Sequence, residues 1–450
     1  MIRHAVTPLY LLACLLLGGA SAAGFTANLL LQLMAIPLIG WSLWHLLQPG
    51  GPPLSRSVRA VIALTGLLVA VALVQLIPLP PSVWTKLPGR EAVVNGYRLL
   101  DIPLPWLPLT LTPDGARASL LWLLPAIAVL LGIVIPGAFR ARGIAWAIIA
   151  VTVASVALGA LQLLGGESAY LYRITNYGVA VGFFANANHN ATLLLVAIPF
   201  LAALQTALLK RSKSPRSASA IRLLVIAGFA VILVGLAING SLAGLGLGVP
   251  VVMTTWLAFG RQRPVLRRLV LALTVLLSVA AVGFIAVSPS NNLFGAQHAN
   301  VEQSRQTSFA LTLRAATNYL PFGSGIGSFQ PVYRTQEPLA SVYNTYMNHA
   351  HSDWIELLLE TGIVGIVLAA VVLLWWALRV RVNWQAEERE PFAQAAAIAS
   401  AAILLHSLVD YPLRTAAISA VFAACIGLMS GARPFVKRSR TLPTARHISL

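Results

Sequence analysis

Residues 348–378 read NHAHSDWIELLLETGIVGIVLAAVVLLWWAL. The second half of this stretch is an apolar run long enough to enter a bilayer as a helix. The first half contains two histidines, an aspartate and two glutamates. Ionisable side chains are costly in hydrocarbon and usually mark a functional site. The stretch therefore predicts a membrane-spanning helix whose first turns carry chemistry.

The whole chain has the composition of an integral membrane protein. Of its residues, 58% are hydrophobic and 10% are charged, against about 25% charged in a soluble domain. Runs of about 20 apolar residues predict an all-α polytopic protein with about twelve transmembrane helices. The predicted spans are residues 7–24, 25–47, 58–77, 118–136, 143–164, 186–208, 221–239, 241–259, 268–288, 352–378, 393–409 and 415–431.

The distribution of basic residues predicts the topology. The net charge is +18, and most of the lysines and arginines fall in alternate loops. By the positive-inside rule these loops and both termini are cytoplasmic, including a tail at residues 432–450. The positive charge thus predicts contact with anionic membrane lipids rather than with nucleic acid.

The chain is predicted to form a single membrane domain over residues 1–450 with two external loops. The first, residues 78–117, is rich in proline, which predicts a rigid structure, with Trp84 and Trp106 as interfacial anchors. The second, residues 289–350, lies between the ninth and tenth helices and is long enough to be functional. Its glycine-rich segment 321–329 is a weak phosphate-loop signal and favours a tight turn or close packing.

Two groups of external residues are candidates for substrate contact. Arginine presents a planar fork that suits phosphate oxygens, although each arginine could instead pair with a nearby acid. The polar start of the sixth helix could bind sugar hydroxyls or pyrophosphate, or could only cap the helix. The candidate arginines are Arg173, Arg305, Arg314 and Arg334, and the residues of the sixth helix are Asn186, Asn188 and His189.

His351 is the strongest candidate for chemistry. It precedes the tenth helix, where Ser352 and Asp353 can cap free N–H groups and the positive end of the helix dipole would favour a phosphate. Asp353, Glu356 and Glu360 follow helical spacing and must face protein or water. His349 is the weaker candidate because it lies before the helix, where we expect it to be less fixed. A metal held by His349, His351 and Asp353 is weakly supported, so we expect neither a metal nor a cofactor.

Several segments together resemble the superfamily of O-antigen ligases and polymerases that assemble bacterial envelope glycans. They are PFGSGIGSF at 321–329, HSDWIELLLETGIVG at 351–365, GFFANANHNA at 182–191, IPLPPSVWTKLPGR at 77–90 and HSLVDYPLR at 406–414. The resemblance implies a GT-C-like membrane glycosyltransferase in which His351 is the essential histidine and Arg305 contacts phosphate. This chain has Leu242 where the family often has arginine, with Arg173 as the candidate replacement, and Ser352 where the family often has asparagine.

By this resemblance the protein transfers a glycan from undecaprenyl pyrophosphate to an acceptor hydroxyl, with inversion, on the periplasmic face of the bacterial inner membrane. The implied acceptor of a ligase is lipid A-core or another glycan acceptor. A polymerase of O-antigen or exopolysaccharide would use the same residues. A transporter of about twelve helices is the alternative from another class, but transporters usually have similar halves and a site at the membrane midplane.

Overall fold

The computed structural model describes residues 4–22, 25–48, 54–135, 139–260, 264–288, 305–339 and 346–431. The side chains of residues 305 and 306 also lie outside this description. The predicted tail 432–450 and the part of the large loop before residue 305 therefore cannot be compared with the structure.

The described chain is mostly helical, in agreement with the all-α prediction. The helices are α1 (Val6–Leu17), α2 (Thr26–Leu47), α3 (Arg56–Val74), α4 (Pro81–Trp84), α5 (Glu91–Leu99), α6 (Pro113–Val134), α7 (Ala141–Gly165) and α8 (Ala187–Leu209). They continue with α9 (Pro215–Asn239), α10 (Leu242–Phe259), α11 (Pro264–Val287), α12 (Arg305–Tyr319), α13 (Phe329–Arg334), α14 (Asp353–Gln385), α15 (Pro391–His406) and α16 (Ala416–Met429). Two short strands, β1 (Pro78–Leu79) and β2 (Leu107–Pro108), pair antiparallel.

Nine of the described helices are long and apolar enough to cross a membrane. The other three predicted spans correspond to the shorter apolar helices α1, α15 and α16. The spans predicted at 393–409 and 415–431 correspond to α15, which ends at His406, and α16, which begins at Ala416, so residues 407–415 belong to neither helix. The polar segment between them folds inward instead, and this segment carries Asp410 and Arg414 into the interior.

Helix α8 forms the centre of the bundle. It packs against α7, α9, α10 and α15. Of the 18 consecutive residues that make up its most apolar stretch, 72% are buried, whereas the corresponding share is 11% for α11 at the periphery. Small residues on α15 and α16, such as Ala395 and Ala420, have no exposed surface and allow these helices to pack closely. The N-terminal ends of α8 and α14 and the 407–415 segment meet at one end of this core.

The first external loop is folded, as its prolines predicted. Its helices α4 and α5 lie between β1 and β2. The prediction for Trp84 is wrong: its side chain is 1% exposed and its indole N–H donates to the carbonyl of Pro105 at 2.9 Å, so it forms the core of the loop. Trp106 is 64% exposed and remains suited to the membrane interface.

Candidate active site

His351 lies in a strained backbone conformation immediately before α14. Its φ is 54°, in the left-handed region that side chains other than glycine rarely adopt. Such strain persists only where the surrounding structure enforces it, and it concentrates at functional sites. The imidazole is 17% exposed, and its Nδ1 lies 3.7 Å from Oδ1 of Asp410. Ser352 caps the helix by accepting a hydrogen bond from the N–H of Ile355, as the sequence predicted.

Asp410 is a fully buried carboxylate beneath His351. One oxygen accepts a hydrogen bond from the amide of Asn188, and the other accepts one from the N–H of Tyr411 at 2.9 Å. Burial alone would raise the pKa of Asp410, but the nearby imidazoles of His351 and His189 hold that pKa well below its ordinary value. Asp410 is therefore ionised, and its charge orients the imidazole of His351.

Tyr411 organises the imidazole rings of the site. Its ring centroid lies 5.0 Å from that of His189, 4.6 Å from that of His349 and 5.2 Å from that of His351. The Tyr411 hydroxyl donates to the side-chain carbonyl of Asn348 at 3.4 Å. One buried aromatic side chain thus holds histidines from two distant segments of the chain at a common centre.

His349 is fixed more firmly than the sequence predicted. Its Nδ1 lies 2.9 Å from Oε1 of Glu356, a shorter contact than that between His351 and Asp410. The second oxygen of Glu356 accepts the N–H of Ala350 at 2.9 Å. The expectation that His349 is loosely held is therefore wrong, because the helix after it supplies a buried carboxylate that reaches back over one turn.

Arg414 neutralises the row of carboxylates on α14. Its guanidinium lies 3.5 Å from Asp353, 3.3 Å from Glu356 and 3.2 Å from Glu360. Burial would lower the pKa of Arg414, but these carboxylates raise it above its ordinary value. The three acids share one stripe of the helix, as their spacing predicted, and the stripe faces protein. Asp353 also accepts hydrogen bonds from the Ser407 hydroxyl and the Leu413 N–H, so its contacts support a structural role.

The N-terminal end of α14 is not open to a phosphate, contrary to the sequence-based expectation. The N–H of Asp353 donates to the carbonyls of Ser407 at 3.0 Å and Asp410 at 3.2 Å, and the N–H of Ile355 is taken by Ser352. The buried carboxylates of Asp353 and Glu356 also occupy the positive end of the helix dipole. A bound diphosphate would therefore need positive partners elsewhere.

The glycine-rich segment 321–329 packs against α14. The N–H of Gly325 donates to the carbonyl of Glu360, and the N–H of Gly327 donates to the Glu360 side chain at 2.8 Å. Gly325 has a φ of 101°, and a Cβ there would lie 2.2 Å from Cα of Thr110. The tight-turn interpretation is thus confirmed, since these N–H groups bond protein instead of a phosphate. Helix α14 also breaks at Gly362, where the N–H of Ile363 donates to the carbonyl of Pro321.

The polar start of α8 faces Asp410. Asn186 caps the helix by accepting the N–H of Asn188 at 2.8 Å. The side chain of Asn188 is 3% exposed, and it accepts a hydrogen bond from Ser241 at 2.6 Å and donates to Asp410. His189 is 1% exposed, with Nε2 at 3.9 Å from Asp410. These contacts support capping and positioning roles for Asn188 and His189 over direct contact with a sugar.

The candidate arginines lie on the surface where their side chains are described. Arg173, Arg314 and Arg334 are exposed, and Arg334 lies over the ring of Tyr346 at 5.5 Å from its centroid. Arg305 begins α12, but its side chain lies outside the described part of the chain. Next to Ser241, Leu242 opens α10 without a charge. A phosphate role for these four arginines stays a prediction.

Asp410, Tyr411 and Arg414 form the centre of the site, but they were not among the residues predicted for it. The segment HSLVDYPLR carried a signal, because it places an acid, a tyrosine and an arginine between two apolar runs. Among the described residues, no group of three or more His, Cys, Asp or Glu side chains is arranged to hold a metal ion. Metal independence stays a prediction.

Comparison with known proteins agrees with the resemblance noted in the sequence. Residues 227–370 match the family model described as O-Antigen ligase. The matched region runs from α9 into α14 and includes the glycine-rich segment, His349, His351 and the carboxylate row. No curated protein matches the chain. Over these residues, which are about a third of the chain, this multi-helix membrane protein is similar to the O-antigen ligase-like superfamily.

Proposed function

We propose that this protein is an inverting, metal-independent glycosyltransferase that transfers a glycan from undecaprenyl pyrophosphate to an acceptor hydroxyl on the periplasmic face of the inner membrane. The observation that carries the proposal is the pair formed by His351 and Asp410. A partly exposed imidazole stands in a strained backbone beside a buried, ionised carboxylate, at a point where an external loop meets a membrane-spanning helix. Paired groups of this kind activate hydroxyl nucleophiles.

The distance between His351 and Asp410 supports distinct roles for the two ring nitrogens of His351. Because Nδ1 faces Asp410, Nε2 is left to accept the proton of the acceptor hydroxyl. The acceptor oxygen then forms a bond to the anomeric carbon, while the bond from that carbon to the phosphate oxygen breaks and its electron pair leaves with pyrophosphate. A single displacement inverts the anomeric carbon. Such proton transfer typically contributes about 10²- to 10⁴-fold to the rate.

The leaving pyrophosphate needs fixed positive partners as its charge develops. Arg414 is not available to bind the leaving pyrophosphate, since three carboxylates already surround its guanidinium. The proposal therefore gives the phosphate contacts to Arg305, with Arg173, Arg314 and Arg334 as further candidates. It gives the sugar and acceptor side of the site to the polar groups near His351, including Asn186 and His349. No described feature separates ligase from polymerase; we favour transfer to lipid A-core or another terminal acceptor.

The break in α14 does not favour transport. In carriers, broken helices open onto a substrate cavity at the midplane. Here the freed N–H of Ile363 is satisfied by Pro321, and the glycine-rich segment fills the break. This arrangement supports a rigid platform beneath the site.

The test is glycan transfer by the purified protein in nanodiscs with a defined lipid pyrophosphate glycan and candidate acceptors. We expect His351→Ala to abolish transfer and His45→Ala, a matched change at the far end of α2, to leave it intact. Transfer by His351→Ala at the wild-type rate would remove the assigned role. Accumulation of long glycan on the carrier in a deletion strain indicates a ligase, whereas accumulation of single repeats indicates a polymerase.

A further inference from the structure

A cavity of about 410 Å³ opens between the first turns of α1 and α7. Its walls include His4, Pro8, Leu9, Arg140, Arg142 and Trp146. Helix α7 leads from this cavity towards the site: near its other end, the amide of Gln162 bonds Gly182, shortly before the start of α8. A helix of 25 residues is about 37 Å long at 1.5 Å per residue. The cavity therefore lies at the opposite end of the bundle from His351.

The cavity has a concentrated positive charge. Arg142 lies close enough to Arg140 and Arg211 to experience the charge of both. Within the described ranges, none of these three arginines forms an ion pair. Glu390, at the start of α15, lies near Lys210 and caps that helix. The mutual repulsion of the arginines is therefore uncompensated by protein, which favours an anionic ligand.

The start of α7 adds to this field. The first turn of α7 contains no acidic residue, and Arg140 provides no side-chain cap. The positive end of the helix dipole lies where Arg140 and Arg142 are, and this arrangement suits phosphate oxygens. Arginine pairs add bidentate hydrogen bonds to such oxygens.

The other wall of the cavity is apolar and continues onto the lipid-facing surface. Leu9 is 61% exposed and Trp146 is 51% exposed. A soluble anion would gain nothing from these side chains, whereas an amphiphile could place its headgroup on the arginines and its chain against Leu9 and Trp146. We propose that this cavity binds the phosphate group of an anionic phospholipid from the leaflet that faces the basic loops. The site is separate from the proposed glycan chemistry and does not depend on it.

The experiment is native mass spectrometry of the full-length protein released from nanodiscs that contain equal amounts of phosphatidylglycerol and phosphatidylcholine. We expect the wild-type protein to retain phosphatidylglycerol selectively. The double variant Arg140→Gln/Arg142→Gln should lose this selectivity, because it removes the bidentate contacts with the phosphate oxygens. The matched control, Arg216→Gln/Arg222→Gln, removes two exposed charges from the same face and should retain the lipid as the wild type does.

Equal loss of phosphatidylglycerol in the two double variants would overturn the proposal, because the effect would then be one of net charge alone. Equal retention of phosphatidylcholine and phosphatidylglycerol by the wild type would also overturn it. A parallel arm measures thermal unfolding in lipid-free detergent with inorganic phosphate. Stabilisation there to the extent given by phosphatidylglycerol would identify a soluble anion as the ligand and reject the lipid. Monodisperse elution of each variant in size-exclusion chromatography establishes that it is folded.

Discussion

Replacement of Arg414 by glutamine should destabilise the protein more than any exposed charge change. The guanidinium contacts three carboxylates at 3.2 to 3.5 Å, and the side chains of Glu356 and Glu360 are 1% and 3% exposed. Removal of Arg414 would leave these negative charges buried together, with only the imidazole of His349 beside Glu356. Breaking a buried pair in this way costs about 3–5 kcal/mol, so we expect a loss of this order in the free energy of unfolding.

The measurement is unfolding of the purified variant in mixed micelles, followed by tryptophan fluorescence. The matched control is Arg117→Gln, which breaks an ion pair of 2.6 Å with Asp114 whose side chains are 66% and 97% exposed. Such exposed pairs contribute at most about 1 kcal/mol. A double variant that combines Arg414→Gln with Glu360→Gln should regain part of the loss, because one buried charge is removed. Equal stability changes in the Arg414 and Arg117 variants would refute the argument that burial makes this network important.

Three further predictions concern the site and its support. Asp410→Asn keeps the shape of the side chain but removes the charge that orients His351, so glycan transfer should fall by about 10²- to 10⁴-fold. The control Asp114→Asn should change the rate of transfer less than about twofold. An unchanged rate in Asp410→Asn would contradict the pairing of Asp410 with His351. Gly325→Ala introduces a Cβ against Thr110 at a φ of 101° and should lower the free energy of unfolding by more than about 1 kcal/mol, measured against Gly66→Ala, whose Cβ meets open space. Arg305→Lys should lose most glycan transfer, because lysine cannot contact a phosphate bidentately; retention of activity would reduce the requirement to a single positive charge.

The positions of the membrane helices could be predicted from the sequence because apolar length is a local property. Nine of the predicted spans match described helices long enough to cross a membrane, and the other three overlap shorter apolar helices, since backbone groups in hydrocarbon must bond within their own segment. The sequence also predicted that Asp353, Glu356 and Glu360 share one face of α14, because helical spacing fixes which side chains lie on the same face. His351 was identified by its place at a polar boundary.

The partners of these residues were decided only by the tertiary structure. Asp410 and Arg414 are separated from His351 and the α14 carboxylates by more than one apolar helix span, and no local pattern states that the 407–415 segment folds inward against α14 and α8. The same contacts overturned two local inferences: Glu356 fixes His349, and Ser407 and Asp410 take up the N–H of Asp353. Periodicity along the chain therefore determined which helix faces must be buried. The packing of helices distant in sequence decided which charged side chains pair, because electrostatic pairing depends on distance in space.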